Sequence, residues 1–232
     1  MGWQLHEFSD DEALIERLAA RIGRILTLAV KNRGHASIAV SGGSTPIALY
    51  RRLSTMTLPW QNIIVSLVDE RWVDHDHVDS NAALVASNLL QNAAAAARFV
   101  GMKTSAGDPL AAQQALSVTL AARILPLDIA LLGMGEDGHI ASLFPHANGT
   151  RQALSLDDPL LCRGIELAGA PYGRMTLTAP GLLAASYRFL YVTGRAKYDV
   201  LLAASTPGPA IELPVRAVLH GDVHTDVYYA PK

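Results

Sequence analysis

The chain has a single cysteine, almost no net charge and no long apolar run, and each shortage removes a class of function. With only Cys162 there is no internal disulfide, which fits a reducing compartment. Set in the apolar run PLLCRGIEL, that thiol reads as a small buried hydrophobe rather than a nucleophile. A formal charge of −2 over 232 residues supplies no general basic field for nucleic acid or a membrane surface. Any anionic ligand must therefore be held by a local site. No apolar stretch reaches the roughly 18 residues of a membrane span, and the opening MGWQLHEFSDDEALIE lacks the charged start and apolar core of a secretory signal. These features point to the cytoplasm. Internal repeats, low-complexity linkers and breaks in composition are also missing, so residues 1–232 read as one domain. Nothing in the pattern sets the oligomeric state, which stays open between a monomer and a small homo-oligomer.

Half the residues are apolar and 17% are charged, a globular composition with enough chain to bury a sizeable core. Ser9 to about Lys31 has the spacing of an amphipathic helix. Ser9 and Glu12 make a capping box, and Leu14, Leu18, Ile22, Ile25, Leu26 and Ala29 share one stripe. Ala36–Val40 is a short apolar strand without alternation, as expected when both faces are covered. The turn SGGSTP leads into a helix from about Pro46 to Leu53, and Asn62–Val68 is a second such strand, ending in DERW. After the polar loop VDHDHVDSN come an alanine-rich helix to about Ala97, a helix over Pro109–Ile124 and a third buried strand, Leu127–Gly133. An irregular segment runs to about Pro159; from Pro145 onward it reads as a mobile lid or as an ordered loop. Strand-like runs follow at Leu160–Leu167, Met175–Thr178 and Arg188–Thr193, then a helix from Arg195 to about Ala204 and a closing β section, Val215–Ala230. Strands alternating with helices predict an α/β fold. The expectation is a largely parallel, doubly wound sheet flanked by helices, with a smaller β section at the C-terminus.

In open α/β sheets, ligands bind beyond the carboxyl ends of the strands. SGGSTP, DERW and GMGEDGH each follow a predicted buried strand, so they belong on one rim. In SGGSTP, Gly42 and Gly43 allow a tight turn, Ser44 and Thr45 offer helix caps and hydroxyls, and Pro46 suits a first helical turn. A helix start preceded by glycines is a ready anion site; read blandly, it is a tight turn with a good cap. No Lys completes a Walker loop. DERW places Asp69, Glu70 and Arg71 at a strand end. Arg71 can fork onto a phosphate and Asp69 can meet a sugar hydroxyl or a catalytic proton, although taken alone the motif reads more readily as an ordinary ion-pair network. The DHDH run, Asp74–His77, has no H-E-x-x-H or C-x-x-C partner and reads as a solvated loop, so no metal site is expected.

Gly133, Gly135 and Gly138 spell G-x-G-x-x-G, the form of a dinucleotide-binding turn. Glu136 and Asp137 would repel a pyrophosphate there, and Pro145 stops any long helix. Asp157 and Asp158 fall where a ribose-binding acid belongs, but RQALSLDD is no convincing buried strand. A nicotinamide enzyme is therefore not expected, nor is any cofactor. His139 remains, beside Asp137 on the predicted rim. An imidazole, with an ordinary pKa of about 6.5, takes and returns a proton near neutrality. A neighbouring carboxylate can orient it, which makes His139 a candidate general base.

SGGSTP, DERWV with SN (Ser80, Asn81) following, GMGEDGHIASLFP, RMTLT and TGRAK stand in the order and spacing of the 6-phosphogluconolactonases, and the chain resembles that family from about Ser41 to Lys197. The same superfamily contains glucosamine-6-phosphate deaminase. In the deaminase a pattern like IAFNEP follows the histidine and brings a ring-opening Glu, and the acidic strand end resembles LDEY. Here the matching positions read IASLFP, with Leu143 and Phe144, and DERW. Both departures point to the lactonase branch. The resemblance implies hydrolysis of 6-phospho-D-glucono-1,5-lactone to 6-phosphogluconate, in the oxidative pentose phosphate pathway. It assigns the substrate's phosphate to Gly42, Gly43, Ser44 and Thr45 with Arg71 and Lys197 as cations and Arg174 as a further basic candidate. His139 then activates water, with Asp137 orienting it and Asp69 on the sugar hydroxyls. No G-x-S-x-G elbow supports a serine nucleophile. A sugar-phosphate-binding regulator that lost the chemistry is a third reading; it lacks room for a helix-turn-helix before the first helix.

Overall fold

A computed structural model of the chain describes residues 2–220 and 224–231. It opens with strand β1 (Trp3–Glu7), followed by α1 (Asp11–Arg33), β2 (Ala36–Val40), α2 (Ile47–Ser54), β3 (Ile63–Leu67) and the short β4 (Asp69–Arg71). Next come α3 (Asn81–Asn88), β5 (Arg98–Val100), α4 (Pro109–Ile124) and β6 (Ile129–Leu132). The second half supplies α5 (Thr150–Ala153), β7 (Cys162–Ile165), β8 (Arg174–Leu177), α6 (Ala179–Leu183), β9 (Tyr187–Thr193), α7 (Arg195–Ser205), α8 (Arg216–Leu219) and β10 (Thr225–Ala230).

The main sheet has seven strands in the order β1-β10-β9-β6-β2-β3-β5, and every neighbouring pair is parallel. Every residue of β2 and of β6 is buried, which is why both read as apolar strands without alternation, β2 with one buried hydroxyl, Ser37, that donates to the Pro126 carbonyl. The α/β class and the largely parallel sheet are as the sequence leads one to expect. The smaller β section lies elsewhere. It is a three-stranded antiparallel sheet, β4-β8-β7, built from mid-chain residues. The closing stretch instead forms α8 and then β10, which joins the main sheet between β1 and β9; residues 221–223 of that stretch lie outside the described residues.

Helix α1 buries Leu14, Leu18, Ile22, Ile25, Leu26 and Ala29 and packs on β2 and β10. Its cap sits one residue later than the capping-box reading. The Asp10 side chain accepts from the Ala13 amide at 2.9 Å, and Ser9 Oγ donates to Asp10. Both residue types are good caps, and the shift puts two acids, Asp11 and Glu12, in the first turn. Helix α4 matches the expected bounds, with Pro109 in its first turn and Asp108 accepting from Ala111 at 2.7 Å. The alanine-rich helix is shorter than expected. α3 ends at Asn88, a 3-10 turn spans Asn92–Ala96, and β5 then adds an edge strand. The irregular segment after Pro145 carries α5 and is tied down by an antiparallel bridge between Asn148 and Glu166.

The chain runs from β2 to β3 and β5 on one side, then returns to β6, β9 and β10 on the other. The connections leaving β2 and β6 diverge, which opens a crevice at the carboxyl ends of these two adjacent strands. At their amino ends the same strands are clamped: the buried Asp128 accepts from the Ser37 amide at 2.9 Å and from Arg33 at 2.5 Å.

Candidate functional site

A cavity of about 270 Å³ occupies the crevice, near the lower end of the ~300–1,000 Å³ usual for small-molecule sites. Its walls come from the turn after β2 (Ser41 to Pro46), from Asp69 and Arg71 of β4, from the turn after β6 (Gly133, Gly135, His139) and from Lys197 in the first turn of α7. The three turns do share one rim.

The β2 turn has the form of an anion cradle. Pro46 holds the N-cap position of α2, and no side chain caps the helix. The hydroxyls of Ser44 and Thr45 are thus not used as caps, contrary to the sequence reading. Among the described residues, the amides of Gly43, Ser44 and Thr45 meet no backbone acceptor, although the Ser44 carbonyl accepts from Ile47. Donor N–H groups at the positive end of a helix, in a cavity wall, favour a negatively charged ligand.

On the facing turn, His139 Nδ1 lies 2.5 Å from Asp137 Oδ1, and the same oxygen accepts from the His139 amide at 3.1 Å. The turn closes on itself through Gly135 N–H to the His139 carbonyl (2.9 Å) and Gly138 N–H to the Gly135 carbonyl (3.1 Å). A side chain at 135 has no room: a Cβ there would stand 2.2 Å from His139 Nδ1 and 2.6 Å from Asp137 Oδ1. With Nδ1 committed to Asp137, Nε2 is the nitrogen left to exchange a proton. Phe144 lies against the imidazole, ring centres 4.3 Å apart. Its neighbour Leu143 is fully buried.

β4 divides its side chains between two tasks. Glu70 points away from the cavity and accepts from the amides of Arg71 (2.8 Å), Asn81 (2.7 Å) and Ala82 (2.8 Å), pinning the start of α3. Burial pushes its carboxyl above the ordinary range, and those amides pull it back. Asp69 is buried on the cavity floor, where Ser142 Oγ donates to it at 2.6 Å. Burial raises its pKa as well, opposed by the Ser142 hydrogen bond and then by the charges of Arg71, His139 and Arg174. Ser142 reaches Asp69 because Ala141, at φ 48, turns the chain sharply in a left-handed conformation that costs a β-carbon residue energy. Arg174 stands directly across from Arg71 in the β4–β8 ladder, but it does not line the cavity. Burial lowers its pKa and the like charge of Arg71 lowers it further.

The sequence model of the family described as glucosamine-6-phosphate isomerases/6-phosphogluconolactonase matches residues 9–227. The chain belongs to this family. It is 42% identical over 235 residues to the 6-phosphogluconolactonase of Rhizobium meliloti (strain 1021), covering 100% of both chains. It is 37% identical to that of Pseudomonas putida, covering 98% of this chain and 93% of the relative. The crystal structure of a 6-phosphogluconolactonase from Shewanella baltica OS155 superposes with a TM-score of 0.93 at 35% identity, covering 97% of each chain.

Of the family residues expected at the site, Gly42, Gly43, Ser44, Thr45, Asp69, Arg71, His139 and Lys197 line one cavity, and Asp137 is bonded to His139. Arg174 is the exception, paired with Arg71 across the β4–β8 ladder but outside the cavity wall. The sequence reading assigned no role to Ser142, Tyr191 or Asn81. Tyr191 and Asn81 line the cavity and Ser142 holds Asp69. Asn81 carried a signal in the SN pair after DERWV, but its partners were out of view. The DHDH loop supplies no ligand set: His77 Nδ1 accepts from the Asp79 amide and Nε2 meets Tyr172. Among the described residues, no group of three His, Cys, Asp or Glu side chains comes together to hold a metal, and no helix is long and apolar enough to cross a membrane. Cys162 is buried in β7, its thiol pushed up to about 11 by burial.

Proposed function

We propose that the chain hydrolyses 6-phospho-D-glucono-1,5-lactone to 6-phosphogluconate, the lactone-opening step of the oxidative pentose phosphate pathway, in the cytoplasm. The observation that carries this is the pairing, in one cavity, of an anion cradle with an imidazole whose Nδ1 is held by a carboxylate. The phosphate sits against the amides and hydroxyls of residues 42–45, with Arg71 and Lys197 as cationic partners and Arg174 adding to the field from the neighbouring strand. Binding energy from that remote group orients the C1 carbonyl.

His139 Nε2 takes a proton from a water molecule as its oxygen bonds to C1. Backbone N–H groups of the glycine turn stabilise the resulting oxyanion. The C1–ring-oxygen bond then breaks and the imidazolium returns the proton to the departing oxygen. Asp137 keeps the ring in the required tautomer and orientation, and Asp69 accepts from sugar hydroxyls. A deaminase needs a carboxylate where this chain has Phe144, whose ring lies against His139; that favours the lactonase.

The test is His139→Ala, assayed on freshly prepared lactone. Loss of a general base lowers turnover by about 10²–10⁴-fold, toward the spontaneous rate, while 6-phosphogluconate still binds. Nearly full activity in the variant removes His139 as the base. Ammonia release from glucosamine 6-phosphate by the native protein would instead establish the deaminase, and saturable 6-phosphogluconate binding without hydrolysis a binding protein.

A further inference from the structure

We propose that Asn81 is a positioning residue that holds Arg71 as an un-neutralised cation and locks it to Asp69 at a fixed separation. The inference deepens the lactonase reading and rests on its assignment of Arg71 and Asp69 to the substrate. Asn81 is 1% exposed, at the first position of α3. Its backbone amide is already tied to Glu70, so the side chain is not needed to start the helix.

A carboxamide offers an acceptor and a donor together, and Asn81 uses both toward β4. Its Oδ1 accepts from Arg71 Nη1 at 2.7 Å. Its Nδ2 donates to the Asp69 carbonyl at 2.8 Å and reaches the Asp69 carboxylate at 3.4 Å. The other acceptor on Arg71 Nη1 is the Asp79 main-chain carbonyl, at 2.9 Å. Both partners of the guanidinium are neutral carbonyls, and among the described residues no carboxylate lies within ion-pairing distance of Arg71. The arginine is thus aimed without spending its charge, the condition a phosphate-binding cation must meet.

The same amide is fitted to the anion cradle. A Cβ on Gly42 would stand 1.8 Å from Asn81 Oδ1, so residue 42 is held to glycine by the carboxamide packed against it. Cradle, cation and acid are therefore registered to one another through a single side chain.

The experiment is steady-state kinetics on fresh lactone for Asn81→Ala, Asn81→Asp and Arg71→Ala. Asn81→Ala raises KM about tenfold, or ~1.4 kcal/mol. Asn81→Asp raises it further, toward the value of Arg71→Ala, because a fixed carboxylate neutralises the cation. In both position-81 variants kcat stays within about threefold, since the His139–Asp137 pair is untouched. A merely structural asparagine gives a different pattern: both position-81 variants lose stability in thermal denaturation, since the bonds to Asp69 are lost, and the folded protein keeps the native KM. Native KM in the position-81 variants with a raised KM in Arg71→Ala overturns the proposal and leaves the site reading intact. Native KM in Arg71→Ala overturns both. The near-isosteric Asp variant carries the test if the alanine variant does not fold.

Discussion

Gly135→Ala offers a sharp test of the His139–Asp137 geometry, because the damage is steric and its size can be worked out. The added methyl would stand 2.2 Å from both Cε1 and Nδ1 of His139 and 2.6 Å from Asp137 Oδ1. Ordinary contacts for such a carbon begin near 3.4 Å, so the ring must retreat by about 1 Å. It is hemmed in by Phe144, at 4.3 Å between ring centres, and cannot move without disturbing the 2.5 Å bond to Asp137. A displacement of about 1 Å from a productive geometry costs roughly 10²-fold in rate. The expected result is a kcat about 100-fold below native with KM nearly unchanged, since the cradle and Arg71 lie on other elements. The His139 side chain is 30% exposed and can yield outward, which limits the loss of stability to about 1–3 kcal/mol. Thermal denaturation checks that figure and separates it from the kinetic effect. The double variant Gly135→Ala/His139→Ala should be no slower than His139→Ala alone, because both changes remove one contribution. A kcat within twofold of native, or a double variant tenfold slower than His139→Ala, would refute the reasoning.

Other expectations follow from the buried carboxylates and the thiol. Burial raises the folded-state pKa of Asp69 above the ordinary 3.8 of an aspartate, so the folded protein holds that proton when the unfolded chain has released it. Stability from this group is full below about 3.8 and is lost as pH rises through the raised value. Across that window, urea unfolding should show the stability of the native protein falling relative to that of Asp69→Asn as pH rises; a constant difference contradicts the assignment. Glu70→Ala strands the buried backbone amides of Asn81 and Ala82 at the start of α3 and the half-buried amide of Arg71. At about 1–3 kcal/mol for each buried unsatisfied group, chemical denaturation should register a loss of at least ~2 kcal/mol. Cys162, buried and with its thiol at about 11, should resist maleimide under native conditions and react on unfolding; rapid native labelling would contradict its placement.

What was legible in the sequence follows from where the cause of each feature lies. The strands β2, β3 and β6 announce themselves because burial on both faces favours apolar residues, with the serines of β2 and β3 bonded to backbone carbonyls, and α4 because Asp108 and Pro109 mark its start locally. β1 and β5 were not visible. They are edge strands with mixed sequences, WQLHE and RFV, and they are strands because β10 and β3 present hydrogen-bonding edges to them. The site shows the same division. His139, Asp137 and the glycine turn are written in contiguous motifs. Ser142 and Asn81 act on β4 from 73 and from 10 to 12 positions away, and no local pattern says what a hydroxyl or carboxamide will meet. Arg174 was selected for its charge next to a motif. Its cross-strand pairing with Arg71 became visible only once the antiparallel sheet was known.

The strand order also carries a timetable. β1 is synthesised before the other strands of this sheet, yet its hydrogen-bonded neighbour is β10, through pairs such as Trp3 with Thr225. It must wait for more than two hundred residues to be synthesised before it can be seated, while β5, β3, β2, β6 and β9 can already lie side by side. Closing so long a loop is entropically costly but grows only slowly with length, and non-local pairing of this kind slows folding. The turns that form the cavity belong to the part that can assemble early. The earliest strand of this sheet is among its last to dock, on the edge away from the chemistry.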